Sequence, residues 1–349
     1  MTGVQTCALP ISTLFVFAWI GLRNVLPIYA VLVLIGTGRS FSGPASSALI
    51  PHLVPKEHFV NAVTWGATTF QIANISGPAF GGILFTLPLA GHLHGASLVY
   101  LFTMVSLLCY LGLIAQLHVR PGRMEHRAIS KDVILAGIHY VTHTPILLGS
   151  ISLDLFAVLL GGAVALMPIF AEDILHAGPR GLGMLRAAPA IGALTVSIFL
   201  TLRPIHRRAG ARMLTCVAIF GAATILFGFS KNLALSMLAL FVVGASDMVS
   251  VVIRSSMLQL ATPPEMRGRV SAVNSLFLGA SNEFGEFESG LTAQWWGAVR
   301  AVVIGGIGSM VVTGLWTALF PALRGADELT AEALLNVEYR QSAQEVRQL

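Results

Sequence analysis

Leu233–Ile253 reads LALSMLALFVVGASDMVSVVI. It is 21 residues long and carries one charge, Asp247. At about 1.5 Å of rise per residue, a helix of that length crosses the ~30 Å hydrocarbon core of a bilayer. Peptide groups in hydrocarbon must bond within their own segment, so the stretch predicts a membrane-spanning helix, not a strand.

Working outward, the same pattern recurs along the chain. Apolar runs cover Val25–Ile50, Phe59–Pro88, Ala96–Leu117, Pro145–Phe170, Leu182–Leu202 and Met213–Phe229, then Val270–Trp296 and Ala301–Phe320. With Leu233–Ile253 they make nine full spans, and Thr13–Leu22 is a partial one. The composition agrees: 55% of the 349 residues are hydrophobic and 11% are charged, and the mean hydropathy is +0.79. Soluble domains carry about 25% charged residues, so the bilayer is the solvent that fits. The net charge of +5 sits in short clusters between apolar runs, which argues against a nucleic-acid partner. Cys7, Cys109 and Cys216 have no motif spacing and give no metal or disulfide signal.

Residues 1–12 (MTGVQTCALPIS) have neither a basic n-region nor a continuous apolar core, so they are not a secretory signal. They resemble translated sequencing-adapter sequence and are expected to be a non-native leader. Loop charges set the orientation. One set of loops holds Lys56, Arg120, Arg123, Arg127, Lys131, Arg203, Arg207, Arg208, Arg212, Arg254, Arg267, Arg269 and Arg324; the opposite set holds Arg23, Arg180, Lys231 and Arg300. The excess places the first set, and the C-terminus, in the cytoplasm.

The chain also repeats itself at an offset of 208 residues. Gly36/Gly244, Ser42/Ser250, Ser47/Ser255, Pro55/Pro263, Glu57/Glu265, Asn74/Asn282, Gly77/Gly285 and Gly82/Gly290 are identical pairs. Both copies have the same orientation, which is a parallel repeat of about six helices. The expected organisation is a partial N-terminal bundle over 13–117, a cytoplasmic loop over 118–144, a six-helix bundle over 145–320 and a cytoplasmic tail over 321–349. By the repeat, the chain begins inside the third of twelve helices, with roughly 60 residues, two helices and their loop, preceding it.

Arg39-Ser-Phe-Ser-Gly43 resembles the Arg-x-x-x-Gly motif of major facilitator superfamily exporters. Ser76-Gly77-Pro78-Ala-Phe-Gly81-Gly82 is similar to their Gly-Pro-x-x-Gly-Gly antiporter motif. The loop ALIPHLVPKE ending at Glu57, with Asn61-Ala62, resembles the branch that includes enterobactin and macrolide exporters, and Pro264–Arg269 is its second-half counterpart. The resemblance implies an all-α polytopic major facilitator fold. It further implies a monomer in the bacterial inner membrane that exports a small-molecule substrate against protons by alternating access. A solute importer on the same fold and a non-transporting membrane protein are the alternatives.

Physical chemistry picks out the candidate residues. Gly77, Gly81 and Gly82 allow close helix approach, and Pro78 removes a donor and bends its helix. A mid-span charge costs about 3 kcal/mol on insertion scales, so Arg39, Asp154, Asp247, Glu283 and Glu286 are expected to face a wet cavity or a partner. Glu283 and Glu286, three residues apart, share a helical face, whereas Glu288 points elsewhere. Arg39 and this glutamate pair are the leading candidates for proton coupling. Gln71, Asn74 and Asn282 are expected to line the cavity. No phosphate-binding Gly-x-x-x-x-Gly-Lys loop occurs, no nucleophile–base constellation points to an enzyme, and no cofactor is implied. His139 and His143 lack a third ligand and are not read as a metal site.

Overall fold

The computed structural model describes residues 2–21, 24–37, 59–87, 95–116, 131–203, 205, 207–263 and 266–327. Two compact units divide the chain, residues 1–126 and 127–349.

The first unit contains α1 (Thr2–Trp19), α2 (Leu26–Thr37), α3 (Phe59–Phe85) and α4 (Ala96–Ala115). α1 runs without a break through the segment read as a leader. α1 packs along α4, with Leu14 buried, and α3 meets α4 through Phe80 and Phe102, whose ring centres are 5.3 Å apart.

The second unit is built from α5 (Lys131–His143), α6 (Pro145–Leu160), α7 (Ala163–Ile169), α8 (Gly178–Leu202) and α9 (Ala209–Phe229). It continues with α10 (Leu233–Leu260), α11 (Arg267–Trp296), α12 (Ala298–Leu319) and the short α13 (Pro321–Gly325). Among the described residues, six helical segments are long and apolar enough to cross a membrane: Ala96–Ile114, Pro145–Ile174, Gly178–Leu202, Ala209–Phe229, Leu233–Leu260 and Ala298–Leu319. α11 has the length, but Arg267, Arg269, Glu283, Glu286 and Glu288 make it more polar than its neighbours.

Local chemistry explains where these helices start and stop. Asn232 caps α10: its side chain accepts hydrogen bonds from the N–H groups of Ala234 at 2.9 Å and Leu235 at 3.3 Å. Pro145 opens α6, where a missing N–H costs nothing. The apolar run expected to form one helix from Pro145 to Phe170 is broken at Gly161-Gly162, and after Pro168 it widens into a π-helical turn over Phe170–Ile174. A side chain at Gly162 would collide with Ser289 of α11, since its Cβ would lie 1.9 Å from the Ser289 hydroxyl.

Apolar faces close the unit. One core joins α6, α9, α10, α11 and α12 around Leu147, Leu153, Met213, Ile253 and Met257. A second joins α7, α8, α10 and α12 around Phe170, Leu185 and Leu240. α8 and α10 cross so closely that a Cβ on Gly244 would lie 1.9 Å from the Pro189 carbonyl oxygen. Polar contacts pin α12 to α6: Ser309 donates to the Ala157 carbonyl at 2.9 Å, and the Trp316 indole N–H donates to Ser152 at 3.0 Å.

One segment expected as loop is helical. α5 lies within 118–144 and packs on α11; Val141 is buried, and the Tyr140 hydroxyl donates to the Ala261 carbonyl at 2.8 Å. Its apolar side is too short to read as a span, but an amphipathic helix needs only one face to bury.

Candidate functional site

α10 carries its two charges on one stripe. Asp247, Ser250 and Arg254 recur at i, i+3 and i+7, so they share a face and climb about two turns along it. That face meets α6 at Asp154. The Asp154 carboxylate and the Arg254 guanidinium form an ion pair with side chains only 4% and 3% exposed. Asp247 is half-buried and close enough to feel both charges. The guanidinium is thus ion-paired to Asp154 with Asp247 in its neighbourhood, and the three groups carry one negative charge in excess.

The pair separates two small clefts. The first, between α6, α9 and α10, is lined by Asp154, Ala157, Val217, Ser246, Asp247 and Ser250. It has about 10 Å³ of room for a water centre, which is about the minimum for one molecule. The second lies toward α11 and is lined by Asp154, Leu155, Arg254, Asn274, Phe277 and Ser281; it is too narrow for water. The Ser250 hydroxyl, Arg254 Nε and Asn274 Oδ1 are buried and have no hydrogen-bond partner. Such groups are rare in folded proteins, and each costs about 1–3 kcal/mol.

The sequence-predicted residues distribute as follows. Asp154 and Asp247 come together. Glu283 and Glu286 share an exposed face of α11 with Asn282, away from the pair. Asn74 is exposed on α3, which also carries Gln71. Gly77, Pro78, Gly81 and Gly82 lie in the same helix, and a Cβ on Gly77 or Gly81 would meet nothing within 4 Å. Arg39 falls outside the described residues.

Arg254 corrects the sequence reading. It was assigned to a cytoplasmic loop because the apolar run ends at Ile253. In the structure α10 continues to Leu260 and Arg254 is buried. Its charge is matched by Asp154, one hundred residues upstream, so local hydropathy could not reveal it. A signal was present: Asp247 and Arg254 lie seven residues apart, on one helical face, and Asp154 is an opposite charge within another span.

The imidazoles of His139 and His143 stack with centres 4.0 Å apart, and His143 Nδ1 lies 2.8 Å from the His139 carbonyl. Among the described residues no group of three or more His, Cys, Asp or Glu could hold a metal ion.

The sequence profile described as "transmembrane secretion effector", a major facilitator superfamily group, matches residues 1–348. The chain belongs to this family. The curated relatives include the enterobactin exporter EntS of Shigella dysenteriae serotype 1, 28% identical over 306 residues, which cover 88% of this chain and 68% of the relative. Two solved structures share the fold. A bacterial metal transporter aligns with a TM-score of 0.63 at 14% identity over 90% of this chain and 83% of its own. A bacterial homologue of the human lysosomal transporter Spinster, inward-facing and unoccupied, aligns at 0.62 and 14% over 96% and 84%. The protein is thus a multi-pass membrane transporter of major facilitator type.

Proposed function

We propose that this protein exports a small molecule across the bacterial inner membrane by alternating access, driven by entry of protons. The observation that carries this reading is the Asp154–Arg254 pair with Asp247 beside it, inside helices long enough to span a bilayer. Charges at that depth are expensive and are kept where ions or protons move. Two carboxylates facing one guanidinium can take up a single proton and become neutral as a cluster. We assign coupling to Asp154 and Asp247, and the wall of the substrate pathway to Asn282, Glu283 and Glu286, whose exposed carboxylates and amide, set among the exposed rings of Phe284 and Phe287, suit a wet amphipathic pathway better than lipid. The curated relatives named as enterobactin exporters support outward movement of a secreted metabolite. The loop arginines support a cytoplasmic C-terminus. We take the working unit to be a monomer in lipid.

Inverted membrane vesicles test this directly. With an imposed pH gradient, acid inside, they should accumulate a catecholate siderophore, and an uncoupler should abolish the uptake. Asp154→Asn should leave binding of the probe in place but remove its dependence on the gradient. Accumulation that persists after the gradient is collapsed would refute proton drive, and uptake only in right-side-out vesicles would make the protein an importer.

A further inference from the structure

Two orphan groups face one cleft. Arg254 Nε is a donor and Asn274 Oδ1 an acceptor; both are buried, both lack a partner, and both line the narrow space between α6, α10 and α11. Water would ordinarily bridge such a pair, but this space has no room for it. The neighbouring hydroxyl is also committed, since Ser281 donates to the Leu278 carbonyl at 3.0 Å. A donor and an acceptor that line a gap too narrow for water can be satisfied by each other, through a small movement of Arg254 or of α11; the Ser250 hydroxyl, also without a partner, lines the other cleft. α11 packs along α6, α5, α12 and α7 and only lightly on α10, so its α10 side is the one with fewest contacts to rearrange.

We propose that Asn274 is the second station of Arg254, so that a proton on Asp154 is converted into a shift of α11 toward α10. The inference rests on the proton-driven reading above. A proton binds a carboxylate oxygen of Asp154 and no other covalent bond changes. The cluster of Asp154, Asp247 and Arg254 goes from one net negative charge to none. The guanidinium is released from α6 and keeps Asp247, on its own helix, as counter-ion. Its Nε–H turns to Asn274 Oδ1 and draws α11 in. Because α11 also carries Glu283 and Glu286 on its exposed face, the movement reaches the proposed wall of the substrate pathway.

The charged groups around Arg254 are few. α6 contributes Asp154 and α10 contributes Asp247. α9 presents Val217 and Phe220, and α11 presents Asn274, Phe277 and Ser281. No charge from α12 lines either cleft, and the α11 carboxylates Glu283 and Glu286 are exposed elsewhere.

Backbone hydrogen exchange of the whole protein in lipid nanodiscs, at one alkaline pH, tests the switch. Asp154→Asn mimics the protonated state. It should slow exchange in the first half of α11 roughly fivefold, the equivalent of one net hydrogen bond. Adding Asn274→Leu should remove the slowing. Asn274→Asp alone should reproduce it in the presence of an intact Asp154, because the second station then carries charge. A merely structural Asn274 would loosen α11 in every variant. The proposal is overturned if Asp154→Asn leaves α11 unchanged, or if its slowing survives Asn274→Leu; should the double variant fail to fold, Asn274→Asp decides alone. Transport that ignores the pH gradient would remove the proposed function while leaving these exchange results to judge the switch.

Discussion

Removing Arg254 should damage the fold more than removing Asp154, and removing both should cost less than removing Arg254 alone. Breaking a buried ion pair from one side typically costs about 3–5 kcal/mol, because the surviving charge is left in a low-dielectric interior. Arg254→Met falls in that range: it strands two carboxylates, Asp154 and Asp247, in clefts with no other cation among the described residues that line them. Asp154→Leu strands Arg254, but Asp247 remains close enough to compensate it, so the cost should fall to about 1–3 kcal/mol, the scale of an imperfectly satisfied buried group. Together the two substitutions put apolar atoms on both sides of the contact, an exchange that is often neutral or stabilising for the pair itself, and the remaining cost is that of Asp247 left without the guanidinium, about 1–3 kcal/mol. The cycle should therefore give a coupling of about 4 kcal/mol, the summed single costs less that of the double variant. Unfolding in mixed micelles, titrated with a denaturing detergent and followed by helicity, measures all four proteins. Additive single effects would refute the pairing. Equal costs for the two single variants would refute the claim that Asp247 shares the guanidinium.

Three further outcomes follow from geometry. Gly244→Leu places atoms where the Pro189 carbonyl oxygen already lies 1.9 Å from a Cβ, so α8 and α10 must separate, at about 1–3 kcal/mol or more; wild-type thermal stability in detergent would contradict the close crossing. Asn232→Ala removes both side-chain bonds at the start of α10 and should cost about 1 kcal/mol, whereas Asn232→Ser should restore most of it in the same melt. Glu283→Gln combined with Glu286→Gln alters two exposed residues and should change stability by less than about 0.5 kcal/mol; it should weaken substrate affinity and leave the pH-gradient dependence of transport intact. Loss of that dependence would move proton coupling to α11.

Much of the fold was legible because the bilayer leaves the chain few choices. Runs such as Leu233–Ile253 can only be helices, and their edges agree with α8, α9, α10 and α12 to within a few residues at most ends. What was not legible depended on partners. The break at Gly161-Gly162 looks like two small residues in an apolar run until α11 is seen against it. α5 was read as loop because hydropathy scores length, and its buried face is one short stripe. The antiporter-motif glycines suggested close packing, yet Gly77 and Gly81 face open space within their own unit. A glycine states only that a side chain is absent.

The same reasoning explains why the charge centre was only half found. Asp154 and Asp247 stood out because a carboxylate in an apolar run is conspicuous. Arg254 did not, because it follows the run and a terminal arginine is the ordinary mark of a membrane edge. An arginine at a span's end reads as solvated unless a second span carries an unmatched acid. Asp154 is that acid, and its cost in hydrocarbon is met only if a cation enters the bilayer with it. Counting unmatched charges across spans, in place of scoring each span alone, would have required a buried base and left Arg254 as the cation nearest to Asp247 on the same helical face. The requirement extends one step further. A single base cannot fully match both acids, so the cluster has one charge more than its neutral state, and it can be emptied only by a proton or by an ion. In the proposed cycle that neutralising particle is a proton, which needs only a carboxylate oxygen to receive it.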